Sequence, residues 1–62
     1  SDLTLLRTMM KIRPEAKIVM NSAIGQELII QDALNAGARD FITKPFKEKE
    51  FIEKIVKVMK GN

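Results

Sequence analysis

Two short apolar runs on either side of one amphipathic helix constrain this chain most, because that order dictates how its strands pair. Residues 17–21 and 40–43 contain β-branched and other apolar side chains with little alternation, which predicts strands covered on both faces. Between them, residues 26–36 place Ile29 and Ala33 on one helical face. A strand-helix-strand connection crosses over right-handedly and leaves its strands parallel. The centre of the chain is therefore predicted to be a βαβ unit.

Amphipathic helices are predicted on both sides of this unit. The apolar side chains of residues 2–12 fall within one arc of a helical wheel, and Pro14 disfavours a helical conformation for the residue before it. Residues 48–60 repeat the apolar pattern, and Gly37 stands where a glycine commonly follows a helix end. The element order α-β-α-β-α, with two parallel strands, is an α/β fold. The last helix also offers two i,i+4 ion pairs, Glu50 with Lys54 and Glu53 with Lys57.

Two parallel strands make an incomplete sheet, because parallel sheets occur with several strands and both faces covered. The edge of residues 17–21 is expected to take another strand. The chain has 62 residues and contains neither Cys nor His, which excludes disulfides and the commonest metal ligands. We therefore expect oligomerisation, with a homodimer favoured, to complete the fold. The core or the interface is expected to comprise Leu3, Leu6, Met9, Ile18, Val19, Met20, Ile30, Ala33, Phe41, Ile42, Ile52, Ile55 and Met59.

Composition disfavours several classes of function. The net charge is +3, charges alternate in sign along the last predicted helix, and there are three Phe but no Tyr or Trp. Single-strand nucleic-acid sites combine a basic groove with stacking aromatics, so nucleic-acid binding is the least favoured function. No apolar run approaches the ~20 residues that span a bilayer, and residues 1–4 have no basic region followed by an apolar stretch, so no signal peptide is expected. We expect a cytoplasmic protein without membrane association.

A long motif follows the middle helix. Residues 33–46, A-L-N-A-G-A-R-D-F-I-T-K-P-F, resemble the A-x-x-A-G-A-x-D-(F/Y)-(I/L)-x-K-P-F signature of response-regulator receiver domains. Residues 17–23 are similar to the family's fourth strand, which ends in a Ser/Thr-Ala dipeptide, and residues 22–26 resemble the CheY-like chemotaxis regulators. The resemblance covers residues 1–62 as one partial receiver domain, from the third to the fifth helix of a flavodoxin-like (βα)5 fold. It implies that the chain corresponds to the C-terminal half of that fold.

The resemblance implies roles for five residues near the strand ends. Lys44 would direct its ammonium at an oxygen of an aspartyl phosphate, and Ser22 would donate its hydroxyl to another oxygen. Ala23 would leave access to the site, and Phe41 would be the aromatic whose rotamer follows that hydroxyl. The Lys44-Pro45 peptide would be cis, which aims the lysine.

The resemblance also implies what the chain lacks. The family's phospho-acceptor aspartate and its acidic pair belong to the half that is not represented. Asp40 begins a strand at the end opposite the ligand crevice, and Asp32 and Glu27 fall on a solvated helix face. Mg²⁺ is therefore expected only with a complete receiver, and this chain is expected to have no catalytic residue, cofactor or metal site. It would be a fragment of a phosphorelay signalling domain, not an enzyme and not phosphorylatable alone.

Receiver domains usually meet partners on the face made by their last three elements. The resemblance implies Leu28, Phe41 and Phe46 as a partner face, with a histidine kinase and an output protein as the partners of the parent protein. Two other functions stay open. One is a self-assembling half-domain in which two copies pair their open strand edges antiparallel about a two-fold axis, so that homo-oligomerisation or protein binding is the activity. The other is a small basic module that binds nucleic acid.

Overall fold

The computed structural model describes the backbone of residues 2–23 and 27–61 and the side chains of residues 3–23 and 29–61. Its element order confirms the α-β-α-β-α prediction. The elements are α1 (Asp2–Ile12), β1 (Val19–Ala23), α2 (Glu27–Asn35), β2 (Asp40–Lys44) and α3 (Glu48–Met59). None of these helices is both long and apolar enough to cross a membrane.

The two strands pair in parallel, as the βαβ pattern predicts. Val19 lies opposite Asp40 at one end of the ladder, and Ala23 lies opposite Lys44 at the other. The prediction that the first strand covers residues 17–21 was wrong by two residues, because β1 begins where its partner strand begins. Before that point the backbone N–H of Arg39 donates to the carbonyl oxygen of Ile18 at 2.8 Å, outside the ladder.

The end of α2 explains why a glycine occupies position 37. Gly37 has a φ of +117°, and its N–H donates to the Leu34 carbonyl at 3.1 Å. The N–H of Ala38 donates to the Ala33 carbonyl at 3.0 Å, which completes a Schellman motif. A Cβ on Gly37 would also lie 2.8 Å from Cε of Met10, the mobile end of a side chain of α1, so the positive φ is the main reason for glycine here and the contact with Met10 adds to it.

The hydrophobic core is small and lies where α1, α2 and β1 meet. Leu6, Ala33 and Ala38 are buried together. The half-buried residues packed against this cluster are Leu3, Met10, Ile18, Met20 and Ala36. Ile42 and Val58 are also buried. Other residues expected in a core or an interface are exposed in this chain: Met9 by 42%, Ile52 by 49% and Met59 by 70%.

Helix α3 begins without a side-chain cap, and aromatic packing fixes its start instead. Lys47 is the N-cap residue and makes no side-chain capping hydrogen bond. Phe46 precedes it and stacks on Phe51 in the first turn, with ring centroids 5.4 Å apart and planes inclined by 19°. This contact between the N′ and N4 positions is a hydrophobic staple, which sets the angle at which the chain enters a helix.

The ion pairs of α3 differ from the two predicted from the sequence. Lys54 pairs with Asp40 of β2, at 3.3 Å, instead of with Glu50. Glu53 pairs with Lys49, at 4.0 Å, instead of with Lys57. The Lys54 side chain is turned toward the sheet, where a half-buried carboxylate offers a stronger partner than an exposed glutamate on its own helix.

Candidate functional site

The carboxyl ends of the two strands bring together three residues that the sequence singles out. Ser22 lies opposite Thr43 in the parallel ladder, and Ala23 lies opposite Lys44. Ligands of open α/β sheets bind outside the carboxyl ends of the strands. Ser22, Ala23 and Lys44 therefore share the end of the sheet at which such a ligand would be held.

Ser22 places a buried hydroxyl at this end. Only 7% of the residue surface is exposed, and its Oγ has no hydrogen-bond partner among the residues that the structure describes. A serine hydroxyl offers one donor and two acceptor positions, and a buried polar atom without a partner is unusual in a native protein. Within the described ranges, no protein group competes for this hydroxyl.

Lys44 supplies positive charge one position further along the ladder. Its side chain is exposed and forms no ion pair within the described part of the chain. The peptide bond between Lys44 and Pro45 is cis. A lysine ammonium is a compact point charge with three donors, which suits an oxyanion such as a phosphoryl group.

Phe41 lies three residues before Lys44 on β2 and is half-buried. The Nζ atom of Lys54 lies 4.7 Å from the centroid of the Phe41 ring. The same Nζ is 3.3 Å from Oδ1 of Asp40, and that oxygen also accepts the backbone N–H of Phe41 at 2.7 Å. Sequence reasoning missed the part of Lys54 in this site, since only the packing of α3 beside β2 brings it to Phe41.

The three residues of the expected partner face are described to different extents. The side chain of Leu28 lies outside the described residues. Phe46 is 37% exposed and belongs to the staple with Phe51, so it has a structural contact within the chain. Phe41 is half-buried beneath Lys54. Their contribution to partner binding stays a prediction.

An apolar groove runs beside the free edge of β1. It has a volume of about 230 Å³ and lies between α1 and the strand, with Leu5, Met9, Val19 and Met20 among its lining residues. In the described part of the chain β1 pairs only with β2, so no other described strand borders its second edge. The groove and the edge together form an opening that an additional strand would fill.

Known proteins have sequences and structures similar to those of this chain. Residues 2–56 match the family described as the response regulator receiver domain. The chemotaxis protein CheY of Thermotoga maritima is 46% identical over 55 residues, which cover 89% of this chain and 46% of that protein. CheY of Bacillus subtilis is 42% identical over 57 residues, which cover 92% and 48% of the two chains.

A solved structure shows the same arrangement of elements. The receiver domain of NtrX from Brucella abortus superposes with a TM-score of 0.92 at 35% identity, over 97% of this chain and 50% of that one. The chain thus spans about half the length of the relatives it matches.

Proposed function

The chain belongs to the response regulator receiver family, and from that premise we propose that it is the phosphoryl-sensing half of a chemotaxis-like receiver in a phosphorelay. The observation that carries the proposal is the buried hydroxyl of Ser22, which has no partner among the described residues and lies one ladder position from Lys44 at the shared carboxyl end of the strands. In this proposal the hydroxyl and the ammonium each engage one oxygen of a phosphoryl group. Positioned donors of this kind stabilise phosphoryl charge by electrostatics and orientation.

The acceptor carboxylate would come from the other half of a receiver. Asp40 stands at the amino end of β2 and is engaged by Lys54, while Asp32 lies exposed on α2. Mg²⁺ takes carboxylate and phosphate oxygens, and the described side chains do not fit a site for it, since no three acidic groups gather among them. We propose accordingly that the chain alone is neither an enzyme nor a phosphoryl acceptor.

The opening beside β1 is where the acidic half would pack. A strand added to the free edge would find hydrogen-bonding groups on β1 and apolar side chains in the groove of about 230 Å³. The carboxyl end of such a parallel strand would lie next to Ser22 and Ala23. The completed domain would act in the cytoplasm, between a histidine kinase and an output protein.

The test is phosphoryl uptake from labelled acetyl phosphate, by this chain and by a chimera in which it replaces the matching half of the Thermotoga maritima relative. We expect the chimera to be labelled in the presence of Mg²⁺ and the 62-residue chain to remain unlabelled. Lys44→Ala should lower the extent of labelling by about tenfold or more, because a hydrogen bond to a charged group contributes ~1.5–3 kcal/mol. Lys47→Ala, on a neighbouring exposed lysine, is the matched control. Labelling of the short chain, or equal effects of the two substitutions, would contradict the proposal.

A second function, self-assembly, is favoured by the same free edge. Val19–Ala23 contains no charged residue, so two copies could bring these strands together without repulsion. A two-fold axis makes such pairing antiparallel and gives a four-stranded sheet. Light scattering over a hundredfold range of concentration, with helicity followed in parallel, tests this function. A folded dimer that loses helicity on dilution supports it, whereas a folded monomer at low concentration contradicts it.

A further inference from the structure

Three neighbouring residues, Asp40, Phe41 and Lys54, all contact one another between β2 and α3. Oδ1 of Asp40 accepts the backbone N–H of Phe41 at 2.7 Å and pairs with Nζ of Lys54 at 3.3 Å. That Nζ lies 4.7 Å from the centroid of the Phe41 ring. The carboxylate therefore anchors both the backbone of Phe41 and the cation that covers its ring.

The Lys54–Asp40 ion pair is more buried than another ion pair of the same helix. The Lys54 and Asp40 side chains are 30% and 23% exposed, whereas the Lys49–Glu53 pair on the same helix is 89% and 65% exposed. A partly buried ion pair is screened less than an exposed one, and a cation–π contact strengthens as the cation loses water. Lys54 thus differs from Lys49, the other lysine of α3 for which a side-chain contact is described.

We propose that Lys54 is a positioning residue that holds the Phe41 ring in its present rotamer. While the ammonium sits between the carboxylate and the ring, a swing of the ring to another χ1 well breaks the cation–π contact and leaves Lys54 with Asp40 alone. The Asp40 carboxylate fixes the position of the Lys54 ammonium. The ammonium in turn determines which χ1 rotamer the Phe41 ring adopts. The consequence for signalling, that Lys54 sets how readily Phe41 responds to a phosphoryl group, rests on the proposed function.

The rotamer itself is measured without any phosphoryl group, so it tests Lys54 independently of the proposed function. The χ1 population of Phe41 follows from NMR three-bond couplings, and the ring-current shift of the Lys54 ε-protons reports the cation above the ring. Lys54→Met, which keeps the side-chain length and removes the charge, should change the population ratio of Phe41 rotamers by roughly two- to fivefold, the factor of a cation–π contact at a partly exposed site.

Three further variants make the test specific. Lys54→Arg should retain the rotamer, since a guanidinium can both pair with Asp40 and cover the ring. Asp40→Asn should release the cation, shift the Lys54 ε-proton signals toward random-coil values and change the Phe41 population in the same direction as Lys54→Met. Lys57→Met, one turn away on the same helix, should change neither signal.

All variants are measured in the 62-residue chain and, in parallel, in the chimera, so that poor folding of a short variant still leaves a readout. A Phe41 population that is unchanged in Lys54→Met, or that changes as much in Lys57→Met, would overturn the proposal. Beryllofluoride with Mg²⁺ is then added to the chimera. If the unsubstituted chimera shows no response at Ser22, the proposed function fails while the rotamer result for Lys54 stands.

Discussion

Lys17, just before β1, donates from its Nζ to the backbone carbonyl oxygen of Met59, 3.0 Å away in the last turn of α3. The contact joins residues 42 positions apart and places a cation at the carboxyl end of a helix, where the macrodipole is negative. The contact connects the segment just before β1, the strand that carries Ser22, to α3, the helix that carries Lys54.

Removing this cation should weaken the chain modestly. Lys17→Met is expected to lower the free energy of unfolding by about 0.3–1 kcal/mol, the usual contribution of a charge at a helix terminus. Urea unfolding followed by circular dichroism measures the change. Lys47→Met at the opposite end of α3 is the control, because removing a cation near a positive helix end should cost no stability. Equal losses in the two variants would contradict the capping role of Lys17.

Alanine substitutions at Gly37 and Gly61 test the cost of backbone strain with and without a nearby side chain. Both have positive φ, +117° and +84°, but a Cβ at Gly37 would meet Met10 Cε at 2.8 Å, while at Gly61 no atom of the described residues lies within 4 Å. An L-residue in the left-handed region costs roughly 1–2 kcal/mol. Gly37→Ala should therefore lower stability by at least that amount, because the end of the Met10 side chain must also move, and Gly61→Ala by no more than that amount. Thermal unfolding of the two variants compares them directly, and a larger loss at Gly61 than at Gly37 would contradict the contact between position 37 and Met10.

Ser22 should be a residue whose removal harms sensing without harming the fold. Its buried hydroxyl has no partner among the described residues, so Ser22→Ala is expected to leave the free energy of unfolding unchanged or raise it by about 1 kcal/mol. The same substitution should weaken the phosphoryl response of the chimera, and Ser22→Thr should retain it because the hydroxyl remains. A loss of stability of 1 kcal/mol or more in Ser22→Ala would mean that the hydroxyl has a partner within the chain.

Val19 connects the free edge of β1 to folding and assembly. It lines the groove and lies opposite Asp40 in the ladder. Val19→Asp would place two like charges opposite each other and a carboxylate in the apolar groove, so we expect it to abolish folding and association. Val19→Thr is the β-branched control. Circular dichroism and light scattering measure both effects, and full helicity with an unchanged assembly state in Val19→Asp would show that the strand assignment is wrong.

Local patterns predicted much of this fold. The bounds of α1 followed from its apolar arc and from Pro14, and the parallel pairing followed from the strand-helix-strand order. Gly37 was expected after the middle helix because a left-handed residue is common there, and its positive φ confirms that expectation. These features depend on residues close in sequence or on a general rule of handedness, and both can be recognised from the sequence alone.

The predictions that were wrong or incomplete concern contacts between residues that are distant in the sequence. The first strand starts at Val19 because β2 starts at Asp40, and apolar composition does not report where a partner begins. Lys54 was assigned to Glu50 by helical spacing, whereas its partners Asp40 and Phe41 become neighbours only after α3 packs beside the sheet. Ser22 and Lys44 were identified by resemblance, but only the structure shows that the Ser22 hydroxyl has no partner among the described residues.

The most direct measurement of the central claim is an NMR titration of the chimera with beryllofluoride and Mg²⁺, read at Ser22 and Lys44. Beryllofluoride mimics a phosphoryl group on an aspartate. We predict the largest changes at the Ser22 amide and hydroxyl and at the Lys44 ammonium, with Lys47 and Lys57 unaffected. Saturable binding of beryllofluoride that leaves Ser22 and Lys44 unperturbed would contradict the claim that these two residues sense a phosphoryl group.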